Sequence, residues 1–138
     1  MDNKTVLIYG PAPTPEKSLV VFDDYDYILI FNEMIYLLDT FNINFNKTKI
    51  IFFCNGYMET NNIDIILKNN NKITYIILKR QPYNTLKTKI ENEKIFVVKP
   101  PIPQPTGICY ALEFLKRYKN VKIIITGVTL YNNVDNNY

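Results

Sequence analysis

The sequence predicts an α/β protein, a Rossmann-like three-layer sandwich on a mostly parallel sheet of about five or six strands. Three observations predict it. Short apolar runs recur along the chain, several without polar alternation, as a sheet covered on both faces requires. Between them lie helical or loop segments suited to right-handed crossovers. Of the only four glycines, Gly10, Gly56 and Gly127 follow such runs, where an open parallel sheet forms its crevice, and Gly107 opens a helical pattern.

Thr5-Val6-Leu7-Ile8-Tyr9 is the first strand, closed by the turn signal Gly10-Pro11. Thr14-Pro15-Glu16 reads as the N-cap, first-position proline and acidic first turn of a short helix. Tyr27-Ile28-Leu29-Ile30-Phe31 is the second strand and stops at Asn32, with a helical turn predicted from Glu33 to Leu38. Ile50-Ile51-Phe52-Phe53 runs into Cys54-Asn55-Gly56. Ile63 to Lys68 suits a short helix, followed by a turn at Asn69-Asn70-Asn71, and Ile73 to Leu78 and Lys94 to Val98 are two further strands. From Thr106 the period changes. Ile108, Ala111, Leu112 and Leu115 fall at i, i+3, i+4 and i+7, which predicts an amphipathic helix with those four side chains on its apolar face. Glu113 and Arg117 lie four apart on another face and are spaced to pair. Val121 to Ile125 is the last strand, ending at Thr126-Gly127. No linker or repeat divides the chain, so residues 1–131 are read as one domain and 132–138 as a polar tail that frays.

Composition narrows the function classes. The formal charge of +3 is mild, and acidic residues are interspersed among the Lys and Arg residues, so no nucleic-acid footprint forms. The tyrosines read as half-buried core residues with a polar tip rather than base-stacking platforms. Cys54 and Cys109 are too few for a disulfide framework and are read as buried thiols. The absence of histidine removes common zinc patterns and histidine acid–base chemistry, so neither metal nor cofactor is expected. No apolar run reaches the roughly 18 residues of a membrane span. Met1-Asp2-Asn3-Lys4 leads into a strand, not a secretory segment. A cytoplasmic protein without an integral membrane segment is expected, in which the sequon Asn46-Lys47-Thr48 has no role. Homo-oligomerisation stays open.

The candidate site follows from the strand ends. Gly10, Gly56, Gly107 and Gly127 allow close ligand approach to the backbone, and with Asn32 and Asn55 they predict one shared pocket. The competing reading is a set of tight turns. The first turn is not a Walker A loop, because Pro11 and Glu16 stand where that motif needs glycine, and it lacks the glycines of a dinucleotide fingerprint. Pro105-Thr106-Gly107 is a better anion site. Thr106 is placed to cap a helix whose first N–H groups and dipole favour phosphate or carboxylate, although a plain helix start has the same sequence. Asn32 and Asn55 each offer an amide for a base or ribose, or alternatively an Asx-type turn.

These segments resemble, in order, the first half of bacterial sialyltransferases of the Campylobacter type. Tyr9-Gly10-Pro11 with Pro13-Thr14 resembles that family's opening Gly-Pro-Ser-like turn. Asn32 and Asn55 resemble its asparagines after the second and third strands, and Thr106-Gly107 its Thr/Ser-Gly helix start. Thr126-Gly127-Val128-Thr129-Leu130-Tyr131 resembles its Ser-Gly-Ile-Asp-Phe-Tyr segment. The resemblance spans nearly all of this chain but only half of such an enzyme. It implies that residues 1–131 bind a cytidine-monophosphate (CMP)-activated sialic acid, with Gly10, Pro11, Thr14, Asn32, Asn55, Thr106, Gly107, Gly127 and Tyr131 around the nucleotide and sugar. It also implies an inverting, metal-free transfer to a sugar hydroxyl. The chain departs from the family at Ala12 and Pro13 in the first turn and at Thr129, where the family has aspartate. The family's histidine base and two phosphate-contacting tyrosines fall beyond the matching region, so the resemblance names no catalytic residue here. The chain reads as a sialyltransferase-like domain, active or a relic. Two alternatives are another enzyme of nucleotides or phosphorylated metabolites, and a non-enzymatic structural or interaction protein.

Overall fold

The computed structural model describes residues 1–129, so Leu130, Tyr131 and the 132–138 tail lie outside the described residues. Six strands, β1 (Thr5–Tyr9), β2 (Tyr27–Phe31), β3 (Lys49–Cys54), β4 (Ile73–Leu78), β5 (Ile95–Val97) and β6 (Lys122–Thr126), form one sheet ordered β5-β4-β3-β2-β1-β6. Every neighbouring pair is parallel. From β1 to β5 each new strand is added on one side, whereas β6 returns to the other side of β1. The strand order therefore reverses at β1, and all strands end on one edge of the sheet.

The four α-helices among the described residues are α1 (Gly56–Asn61), α2 (Ile63–Lys68), α3 (Asn84–Lys89) and α4 (Gly107–Leu115). Right-handed crossovers cover one face while the strands step outward and the opposite face when the chain returns. The side-chain contacts match. Tyr9 meets Phe22 and Phe41 of the β1–β2 and β2–β3 connections. On the other face Phe53 meets Tyr110 of α4, while Tyr75 and Phe96 meet Phe114. Burial on both faces explains the unbroken apolar runs. Leu7, Ile8, Ile28, Leu29, Ile30, Ile50, Ile51 and Phe52 are all fully buried.

Local structure departs from the sequence expectations in several places. Pro15–Leu19 and Asn32–Thr40 are 3₁₀ segments, and Thr14 precedes the first without a side-chain capping bond. Helix α4 buries Tyr110, Ala111, Phe114 and Leu115, while Leu112 is exposed and Ile108 is only half-buried. Apolar residues nearly encircle this helix, and the aromatic side chains waiting on β3, β4 and β5 select the buried stripe. Glu113 pairs with Lys116 at 3.3 Å rather than with Arg117, whose guanidinium lies over Phe96 and Phe114. Cys54 is buried as expected, and burial pushes its thiol up to about 12; Cys109 is only half-buried.

At the amino edge, Asp26 ties β2 to β1. Its Oδ2 accepts from the Thr5 N–H at 2.8 Å and the Thr5 hydroxyl at 3.1 Å. The bond from the Thr5 N–H lowers the Asp26 pKa most. A depressed carboxylate pKa contributes stability above its unfolded value, and the contribution is lost as pH falls through the folded value. Asp26→Asn should therefore cost about 1 kcal/mol at neutral pH, with the difference from the parent vanishing as Asp26 protonates below roughly pH 4. Urea unfolding of both proteins at several pH values checks this; a pH-independent gap would rule out the carboxylate's charge as the cause.

Candidate functional site

At the carboxyl edge, the turns after β1 and β6 lock together. The Gly10 N–H donates to the Thr126 carbonyl and the Ala12 N–H to the Gly127 carbonyl, each at 2.8 Å. A Cβ on Gly10 would lie 2.3 Å from the Gly127 oxygen, and one on Gly127 would lie 2.3 Å from the Gly10 oxygen. Gly127 also has φ +71°, in the left-handed region. These two glycines are needed for their own close approach, which is the turn reading of the sequence. Lys17 reinforces the turn: its Nζ donates to the Gly10 carbonyl at 2.9 Å and lies 4.4 Å from the centre of the Tyr9 ring. Burial lowers the pKa of this ammonium.

Beside this junction is a crevice of about 620 Å³, within the size range of small-molecule sites. Its walls are Pro11 and Ala12 after β1, Phe31 and Asn32 after β2, Thr106 to Ile108 at the start of α4, and Gly127 to Thr129 after β6. The strand order reverses here, where open α/β sheets hold ligands. None of these wall residues is ionisable. The site thus offers apolar surface, amide and hydroxyl groups, and backbone N–H donors.

The start of α4 supplies those donors. Thr106 is its N-cap, but the hydroxyl makes no side-chain capping bond and lies 3.5 Å from Cys109 Sγ, unlike the cap expected from sequence. Cys109 and Tyr110 donate their N–H groups to the Thr106 carbonyl. Gly107 and Ile108, whose N–H groups precede the helical hydrogen-bond ladder, line the crevice. A Cβ on Gly107 would come within 3.0 Å of the Phe31 ring, so glycine lets the helix start rest on that ring.

Of the residues predicted from sequence, Pro11, Asn32, Thr106, Gly107 and Gly127 line the crevice. Gly10 and Thr14 are not among the residues that line it, and Tyr131 lies outside the described residues. Asn55 is one step back. Its N–H donates to Asn32 Oδ1 at 2.9 Å, and its own Oδ1 accepts from the Met58 N–H at 2.9 Å, capping α1. The Asn55 side-chain carbonyl therefore holds the local backbone, as the Asx reading anticipated, whereas that of Asn32 ties the end of β2 to the end of β3, 23 residues away. The Asn32 Nδ2 is left as the amide donor able to meet a ligand. Asn32 adopts φ 48°, which asparagine tolerates better than most residues. Phe31, Ile108 and Val128 also line the site, but their sequence signal is indistinguishable from that of core residues.

Together these features define a parallel α/β protein with a ligand-sized crevice at the carboxyl edge of its sheet, bordered by a helix start. No protein-family model, curated protein or solved structure matches the chain. No helix among the described residues is long and apolar enough to cross a membrane, and none of their acidic or cysteine side chains cluster as a metal site.

Proposed function

We propose that this chain is a sialyltransferase-like domain that binds a CMP-activated sugar in the crevice between the β1, β2 and β6 turns and the start of α4. The supporting observation is the placement of Pro11, Asn32, Thr106, Gly107 and Gly127, far apart in sequence, around one cavity. The phosphate sits at the N–H groups of Gly107 and Ile108, where the helix dipole favours negative charge. The Asn32 amide donates to the nucleotide, and Phe31 and Ile108 cover its apolar surface. The choice of cytidine and of a sugar acid comes from the sequence resemblance. The free thiols of Cys54 and Cys109 fit the reducing cytoplasm that belongs to this reading.

Titration with CMP, cytidine diphosphate and adenine nucleotides, followed by melting temperature and calorimetry, tests the reading. Cytidine ligands should raise the melting temperature more than adenine ligands. Asn32→Asp retains the oxygen that accepts from Asn55 but replaces the amide donor with negative charge. It should weaken CMP binding roughly tenfold, about 1.4 kcal/mol, while leaving the fold intact. Adenine preference would favour a different nucleotide-using enzyme, and no nucleotide binding would defeat the proposal.

A further inference from the structure

The described residues of the crevice wall are uncharged, but two consecutive cations follow β4 on the same carboxyl edge. They leave on different sides. The Lys79 ammonium lies 5.5 Å from the Tyr110 ring of α4, and the Arg80 guanidinium lies 3.7 Å from the Tyr83 ring. Arg80 is held in place. Its Nη1 donates to the Gln81 carbonyl at 3.0 Å, and its Nη2 faces Glu59 Oε1 at 3.9 Å. Glu59 is only 3% exposed, and its other oxygen accepts the Tyr83 N–H, so carboxylate, guanidinium and ring form one assembly. Arg80 also crosses Gly56, where a Cβ would approach Nη2 to 3.2 Å. Gly56 follows Asn55, which is bonded to Asn32 in the crevice wall.

Pairing with Glu59 accounts for only part of this arrangement. A charge-assisted hydrogen bond between guanidinium and carboxylate spans about 2.7–2.9 Å, whereas this pair stands at 3.9 Å and the closer donor to Glu59 is the Tyr83 N–H. The Arg80 side chain is 43% exposed while that of Glu59 is 2% exposed, so the cation faces water and the carboxylate does not. A guanidinium fixed by stacking, with donors left over, has the form that binds a carboxylate or phosphate through two parallel bonds.

We propose that Arg80 anchors a second anionic group of the ligand whose nucleotide occupies the crevice, making this a site for ligands that carry two separate anionic groups. The inference rests on the nucleotide-binding reading. The second group is either the carboxylate of an activated sugar acid or the second phosphate of a diphosphate, which present the same paired oxygens. Glu59 and Tyr83 are positioning residues that hold the guanidinium in place.

Calorimetry of the parent, Arg80→Gln and Arg80→Lys with CMP, cytidine diphosphate and CMP-sialic acid separates the two sources. The parent should bind at least one ligand with a second anionic group about tenfold more tightly than CMP, the size of one charge-assisted contact. Arg80→Gln should abolish that gain without changing CMP affinity. Arg80→Lys should recover only part of it, because an ammonium cannot bind both oxygens in the same plane. The double variant Glu59→Gln/Arg80→Gln removes both charges and serves if an unpaired buried Glu59 unfolds the single variant. Equal affinities of the parent for CMP and both larger ligands would overturn the Arg80 role and leave the nucleotide reading standing. If adenine nucleotides bind instead, their mono- and diphosphates give the same comparison. If no nucleotide binds, both proposals fall.

Discussion

Gly127→Ala should lower stability by roughly 3–4 kcal/mol, among the largest single-residue effects in this fold. Two costs combine. Left-handed backbone costs an ordinary L-residue about 1–2 kcal/mol, and Gly127 sits at φ +71°. The added Cβ would also lie 2.3 Å from the Gly10 carbonyl oxygen, a backbone atom unable to turn away as a side chain does. Relief requires parting the β1 and β6 turns, which breaks the Gly10–Thr126 and Ala12–Gly127 hydrogen bonds. The same opening would widen the crevice, so surviving folded protein should also lose ligand affinity. Gly10→Ala meets the reciprocal 2.3 Å contact without positive φ and should cost less. Gly56→Ala is the milder comparison, because its nearest neighbour is a side chain, Arg80 at 3.2 Å, rather than backbone, and its φ is not positive. Chemical denaturation of the three variants measures the order. A Gly127→Ala protein as stable as Gly56→Ala would refute the interlocked-turn account.

The sheet was legible in the sequence because its central strands, β1 to β4, are buried on both faces. Thr5–Tyr9, Tyr27–Phe31 and Ile73–Leu78 have the boundaries expected from their apolar runs. Helices α1 and α3 were not, because each rests on little apolar anchorage. Met58 is the fully buried apolar side chain of α1 and Leu86 that of α3, and one anchor generates no period. Helix α4 was recognised but rotated, since both Leu112 and Phe114 satisfy an apolar pattern and only the aromatic cluster on the sheet decides between them. Glycine and asparagine at strand ends pointed to the crevice, but the work of each residue was not readable. Gly10 and Gly127 make way for one another, and Asn55 holds Asn32. The Glu59–Arg80–Tyr83 assembly joins positions 24 residues apart at its Glu59–Tyr83 bond and leaves no periodic trace.

With CMP-sialic acid and a sugar acceptor, the pure 138-residue chain should turn over about 10²–10⁴-fold more slowly than a transferase with a placed general base, the usual cost of losing one. Binding and transfer make different demands. Amide and backbone N–H groups hold a nucleotide, whereas transfer also needs a group to take the acceptor hydroxyl proton. The chain contains no histidine, and none of the described crevice-wall residues is ionisable. The carboxylates among the described residues are no better suited. Glu16 is the nearest to the β6 turn, beside Thr14 and Thr126, but it is exposed to water. Asp26 is bound to Thr5 at the opposite edge of the sheet, and Asp23 accepts from the Asn44 N–H. Asp24 and Glu33 are exposed, so water competes for any proton they would take. Glu59 is buried but engaged by the Tyr83 N–H and Arg80. Incubation with a panel of acceptors, with product followed by mass spectrometry, makes the measurement. The expected result is nucleotide binding with little transfer above the rate in buffer. Sustained multiple turnover would require one of these carboxylates to act as base. Glu33→Gln and Glu59→Gln would then identify it, since the responsible variant would lose turnover while keeping CMP affinity.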